Sequence, residues 1–280
     1  MPAAFVVVPE WQGSVSARAM SHADGARAIS GDLPSAATVL VDVPVEAGDA
    51  LGTGVHRFSA IRRVGERLRE ALGGLDRTPI TIGGDCGVAL TAVATAAAAE
   101  PGSLAVLWLD AHPDLNTPET SPSGAFNGMV LRAIAGEGAE GLALVEHERV
   151  APSRLVLGGV RSVDDGEQAF IDEHGIVVLG TERFADADAI ARAVADTGAT
   201  RVYVHVDLDV LDPSAIAGLS YPLPFGADAD QLVAVVRAVV DRLPLAGASI
   251  AGFAPASPEA AIDDLPTILR LIGALASGAR

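Results

Sequence analysis

Residues 103–116, SLAVLWLDAHPDLN, open as an unbroken apolar run and end in Asp110, His112 and Asp114. A run such as Leu104–Leu109, with no polar residue in it, has the pattern of a strand covered on both faces. That is the pattern of a parallel sheet clothed in helices. The abrupt change at Asp110 sets the acidic residues at the strand's carboxyl end, where ligands collect in open α/β sheets. If the extended conformation continued, Asp110, His112 and Asp114 would share one face.

The same device recurs about a hundred residues later in RVYVHVDLDVLDPS, residues 201–214, where Val202–Asp207 runs into Asp207 and Asp209. A third strand-like segment, TIGGDCG at 81–87, ends near Cys86, the single cysteine of the chain. Four carboxylates and one imidazole gathered in this way need cations to offset their mutual repulsion, and they are more than one divalent ion requires. Hard oxygen donors with one histidine favour Mn, Mg or Fe over structural zinc, which prefers thiolates and several histidines.

Outward from these segments, strand patterns fall at Phe5–Val8, Thr38–Val43, Ile80–Ile82, Leu104–Leu109, Arg154–Leu157, Ile176–Leu179, Val202–Asp207 and Ala248–Phe253. Helical patterns fall at His56–Leu72, Val88–Ala99, Phe126–Ala135, Asp165–His174, Asp186–Asp196, Asp228–Leu243 and Ile262–Ala276. Phe58, Ile61, Val64, Leu68 and Leu72 have the spacing of one buried helix face. The alternation gives an α/β fold around a mostly parallel sheet of about eight strands. No linker or internal repeat divides the chain, so residues 1–280 are expected to form one domain. The irregular stretches 116–124 and 212–226 directly follow the acidic strand ends and are the expected walls of a pocket.

Bulk properties exclude several classes. A formal charge of −17 argues against sequence-independent nucleic-acid binding, which needs basic side chains on phosphates. Half of the residues are apolar, but none of the runs approaches the roughly 20 residues of a membrane helix. The segment MPAAFVVVPEWQG lacks the basic start of a signal peptide. One cysteine fits a reducing, cytoplasmic setting.

DAHPDLNTPETSPSG (110–124) and HVDLDVLDPS (205–214) resemble the two central signatures of the arginase/agmatinase (ureohydrolase) family, and GGDC (83–86) resembles its GGDH motif. The resemblance runs roughly from Ile80 to the C-terminus. It implies a three-layer α/β/α fold and two Mn2+ ions that hydrolyse guanidino carbon–nitrogen bonds through a bridging hydroxide. It further implies that Asp110 and Asp207 bridge the ions. Cys86 and Asp114 would complete one ion's shell, and His112 and Asp209 the other's. Asp114 would also orient the hydroxide. Asn116 and Ser123 match positions that contact a substrate α-carboxylate, and Asp164 and Glu167 match positions on the α-amino side. The alternative for these four is local: Asn116 and Ser123 hold their loop, and Asp164 caps the following helix. Family-type trimers or hexamers are implied, although the chain stops right after its last helical pattern, which leaves a monomer open.

The departures are equally informative. Cys86 stands where the family has a histidine, and a thiol is a soft partner for manganese. SGAFNG (123–128) replaces a proton-transferring histidine with Asn127, which cannot act as a general acid, and a substrate-contacting asparagine with Ala125. PASP (255–258) puts Pro255 at the position of a guanidinium-binding glutamate, with Glu259 as a candidate substitute. The segment after Asp212 is shortened. Arginine is fully cationic, so it suffers most from the loss of a guanidinium-binding carboxylate. An N-hydroxyguanidine is less basic. The pattern therefore fits an expected substrate of Nω-hydroxy-L-arginine, giving L-ornithine and hydroxyurea; a place in antibiotic (D-cycloserine) biosynthesis is implied only by resemblance to a family member that also has a cysteine in GGDC. Arginase or another guanidino- or formimino-acid hydrolase is one alternative. A silent metal- or amino-acid-binding relative is the other.

Overall fold

The computed structural model describes residues 3–279. Eight strands, all paired in parallel, form one sheet: β1 (Ala4–Val8), β2 (Thr38–Leu40), β3 (Pro79–Gly83), β4 (Leu104–Leu109), β5 (Leu155–Gly158), β6 (Val177–Leu179), β7 (Arg201–Asp207) and β8 (Leu245–Ala251). Their spatial order is β2-β1-β3-β8-β7-β4-β5-β6. The central quartet β3, β8, β7 and β4 contains all three strands that run into the acidic or cysteine-bearing segments.

Helices cover both faces. α2 (Phe58–Gly73), α3 (Val88–Ala99), α4 (Val130–Ile134) and α5 (Asp165–His174) lie on one side. On the other lie α1 (Ser21–Ser30), α6 (Ala187–Asp196), α7 (Ala229–Arg242) and α8 (Pro258–Ser277). β4 shows why its sequence is apolar throughout. Ala105, Leu107 and Leu109 enter the core under the second group, while Leu104, Val106 and Trp108 enter the core under the first. Each large side chain buried in this way contributes about 1.5–3 kcal/mol. The three-layer α/β/α architecture is therefore as expected.

Several expected boundaries move, each for a local reason. β2 stops at Leu40, before Val43, on an exposed edge. β8 ends at Ala251 because Gly252 turns to φ +86. α2 starts at Phe58 because Arg57 is left-handed at φ 58. The helix expected at Phe126–Ala135 opens as a 3-10 turn at Phe126–Met129 before α4. α8 begins earlier than expected, at Pro258, with Ser257 capping its first turn. Helix α1 was not legible in the pattern. Its buried face is made of His22, Ala23, Gly25, Ala26 and Ile29, in which the small Ala and Gly residues and a histidine leave little apolar stripe. No helix among the described residues is long and apolar enough to cross a membrane.

Candidate metal centre and substrate cavity

All the candidate site residues but Glu259 line one cavity of about 210 Å³ beyond the carboxyl ends of the central strands: Cys86, Asp110, His112, Asp114, Asn116, Ser123, Asn127, Asp164, Glu167, Asp207 and Asp209. The two irregular stretches form its walls, as expected. Residues 116–124 supply Ser121, Pro122 and Ser123, and residues 212–226 supply Tyr221.

Strand alternation is not what brings Asp110, His112 and Asp114 together. β4 ends at Leu109, and Asp114 adopts a left-handed backbone at φ 52. The turn is locked by side chains instead. Asp110 Oδ1 accepts from the His112 amide at 2.7 Å, Asp110 Oδ2 accepts from Trp108 Nε1 at 3.1 Å, and Asp209 Oδ1 accepts from the Ala111 amide at 3.0 Å. His112 Nδ1 lies 3.4 Å from Asp110 Oδ1 and 3.1 Å from Asp209 Oδ2. Cys86 Sγ donates to Asp207 Oδ2 at 2.8 Å, and the Asp209 amide donates to Asp207 Oδ1 at 2.8 Å. Asp114 Oδ2 is buried with no hydrogen-bond partner among the described residues.

The electrostatics of this cluster point to missing positive charge. Burial pushes the Asp207 carboxyl up to about 7, and the neighbouring Asp209 carboxylate adds to the rise. Burial and then Asp110 push Asp209 up to about 6. Asp110 and Asp114 are raised chiefly by burial as well, and burial with the surrounding carboxylates pushes the Cys86 thiol far up. Burial pulls His112 down, but the hydrogen bonds its ring donates to Asp110 and Asp209 hold it at about 12. Among the described residues no Arg or Lys lines the cavity. Protons thus stand where cations would, and the donor set fits divalent ions. Donor atoms of Asp110, His112 and Asp209 lie within 4.8 Å of one another, as do those of Cys86, Asp110 and His205.

The amino-acid end is more mixed. Glu167 is largely committed to the scaffold, its two oxygens accepting the Leu115 amide at 3.0 Å and the Asp164 amide at 2.9 Å. Asn116 donates to Asp164 Oδ2 at 2.9 Å and accepts from Thr120 Oγ1 at 2.8 Å. Ser123 Oγ accepts from the Ala125 amide at 3.2 Å. Glu259 does not substitute for the lost glutamate. It is exposed in the first turn of α8 and lies outside the cavity, while the Pro255 carbonyl is held by Arg18 at 2.9 Å.

Three residues went unread in the sequence. Trp108 and His205 each sit two positions before a metal-competent aspartate, so the strand period alone would have placed them on its face. Tyr221, whose ring stands 6.5 Å from that of His112, carried no signal beyond its loop.

Comparison with known proteins agrees with this geometry. Residues 17–264 match the arginase family, so the likeness starts well before Ile80. The arginase of Bacillus caldovelox is 34% identical over 199 residues, 66% of each chain. The N(omega)-hydroxy-L-arginine amidinohydrolase of Streptomyces lavendulae is 34% identical over 215 residues, 75% of this chain and 72% of that one. The alignments with the bacterial arginases thus span just under two thirds of those proteins. In fold, the arginase of Entamoeba histolytica, solved with L-ornithine, superposes with a TM-score of 0.85 at 23% identity, covering 98% of this chain and 97% of that one. The chain belongs to the arginase family.

Proposed function

We propose that the protein is a binuclear manganese amidinohydrolase that cleaves Nω-hydroxy-L-arginine. Water adds at the guanidino carbon and the bond to Nδ breaks, giving L-ornithine and hydroxyurea. The observation that carries the reading is a buried carboxylate cluster sharing one cavity with Asn127, a residue that cannot protonate a leaving amine. When bound, the two ions supply Lewis-acid charge and lower the pKa of a water toward neutrality.

The chain's own residues do the rest. Asp110, Asp207, Asp209, His112 and Cys86 hold the ions. Asp114 Oδ2, buried and unpartnered, accepts a proton of the attacking water. Asn127 orients the departing nitrogen, and the proton that Asp114 took from the water passes on to that nitrogen as it leaves. Ser123, on the cavity wall, meets the α-carboxylate, with Asn116 and Asp164 held as a pair beside it and Glu167 pinning both segments. The Streptomyces lavendulae relative's name supports the substrate. Hydrolysis of L-arginine is the second reading, favoured by the similarity to bacterial arginases. A silent binding role fits less well with the full set of oxygen and nitrogen donors.

Purified protein with Mn2+ is to be offered arginine, Nω-hydroxyarginine, agmatine and formiminoglutamate, with ornithine and urea-type products quantified. Preference for hydroxyarginine is expected, and preference for arginine overturns the substrate assignment. We extend the reading to antibiotic (D-cycloserine) biosynthesis. A strain lacking the gene is then expected to lose the product and regain it when fed hydroxyurea.

A further inference from the structure

His205 is fully buried on β7, two residues before Asp207 and on the same face of the strand. It is clamped by both neighbouring strands. On one side it stacks on Trp108, its register partner in β4, with centroids 3.7 Å apart and planes at 23°. On the other its Nδ1 lies 2.7 Å from Oγ of Ser249, its register partner in β8. Nε2 has no partner. A ring nitrogen of His205 lies within 4.8 Å of donor atoms of both Cys86 and Asp110. The stacked Trp108 already uses its own N–H on Asp110 Oδ2. A buried imidazole is not left with an idle nitrogen without cost, and the groups within its reach are the thiol and carboxylate expected to hold a cation.

We propose that His205 is a positioning residue for the metal centre: Ser249 donates to Nδ1, which fixes the proton on Nε2, and Nε2–H holds the Cys86 sulfur toward the ion, as Trp108 Nε1–H holds Asp110. The stacked pair thus presents two ring N–H groups from below the site, one to each ligand. Support of this kind tunes the first ligands of metal sites. It answers a need that Cys86 creates, because a cysteine is shorter than a histidine and has no second ring atom by which to be oriented. The inference rests on the two-cation reading of the site, but the ring tautomer is measurable without any cation.

Nitrogen-15 NMR of the histidine-labelled, metal-free chain, with His205 assigned from the spectrum of His205→Gln, reads which nitrogen bears the proton. Nε2–H is expected, and Nδ1–H overturns the proposal. Mn2+ affinity, followed by the EPR signal of the free ion, is then compared in His205→Phe and His205→Gln. Phe keeps the stack and is expected to weaken one ion about tenfold, and Gln keeps an N–H and stays within about threefold. In a Cys86→Ala background the Phe change is expected to add nothing. Equal loss in both backgrounds, or no loss in either, shows a merely structural ring and overturns the role. If the folded parent binds no divalent cation, the two-cation reading fails and the metal role fails with it, whatever the tautomer.

Discussion

At the scale of single residues, Cys86 sets the character of the site. Its thiol is 3% exposed and surrounded by carboxylates, so it binds a cation only by giving up a proton that this environment holds firmly. Cys86→His is expected to tighten Mn2+ binding at one ion by about tenfold, read by titration against the parent. Equal or tighter binding by the parent would count against it. Glu10 is a different case, a buried acid whose Oε1 has no partner. Burial, and then the neighbouring Asp85, raise its carboxyl well above the usual range. A carboxyl raised on folding stabilises fully below its unfolded value and loses that contribution as pH rises through the folded one. Glu10→Gln removes the titration. The variant's melting temperature is thus expected to gain on the parent's between pH 5 and pH 8, by about 2 °C or more at the upper end. A constant difference across that range refutes this account.

At the scale of elements, the turns after the strands do the positioning. Gly252 ends β8 at φ +86, and a Cβ there would stand 2.2 Å from Asp207 Oδ1. Gly252→Ala is therefore expected to cost about 2 kcal/mol or more in unfolding experiments and to weaken cation binding. Unchanged Mn2+ affinity would falsify the link to Asp207. The strands were legible because each is a continuous apolar run that both helical layers bury. The metal-competent residues were legible because their chemistry interrupts those runs. What escaped the pattern was defined by shape. α1 packs so closely that a Cβ on Gly25 would meet the Phe253 carbonyl at 2.1 Å, and small residues carry little hydropathy. The turn that brings in Asp114 depends on a positive φ that no periodicity announces. Glu167 matches a family position on the α-amino side of the substrate, yet two backbone amides engage its carboxylate.

At the scale of the whole molecule, the acidic centre is a net cost to folding until it is neutralised. Ligands that bind only the folded chain stabilise it by mass action, about 2.7 kcal/mol per site at a hundredfold excess over Kd. Mn2+ is thus expected to raise the melting temperature by about 5 °C or more over the chelated protein, and no change on chelation would contradict a cation-binding centre. The donors also come from far apart along the chain. Cys86 and Asp207, in contact through their side chains, are separated by 121 positions. An ion held between them would act as a reversible cross-link, closing a loop that includes β4, β5 and β6 and drawing together strands laid down in different thirds of the sequence. Closure of so long a loop removes much freedom from the unfolded chain. Parting of β3 from β7, which flank β8, would then release the ion, so the rate of manganese loss to a chelator would set an upper limit on how often the middle of the sheet opens.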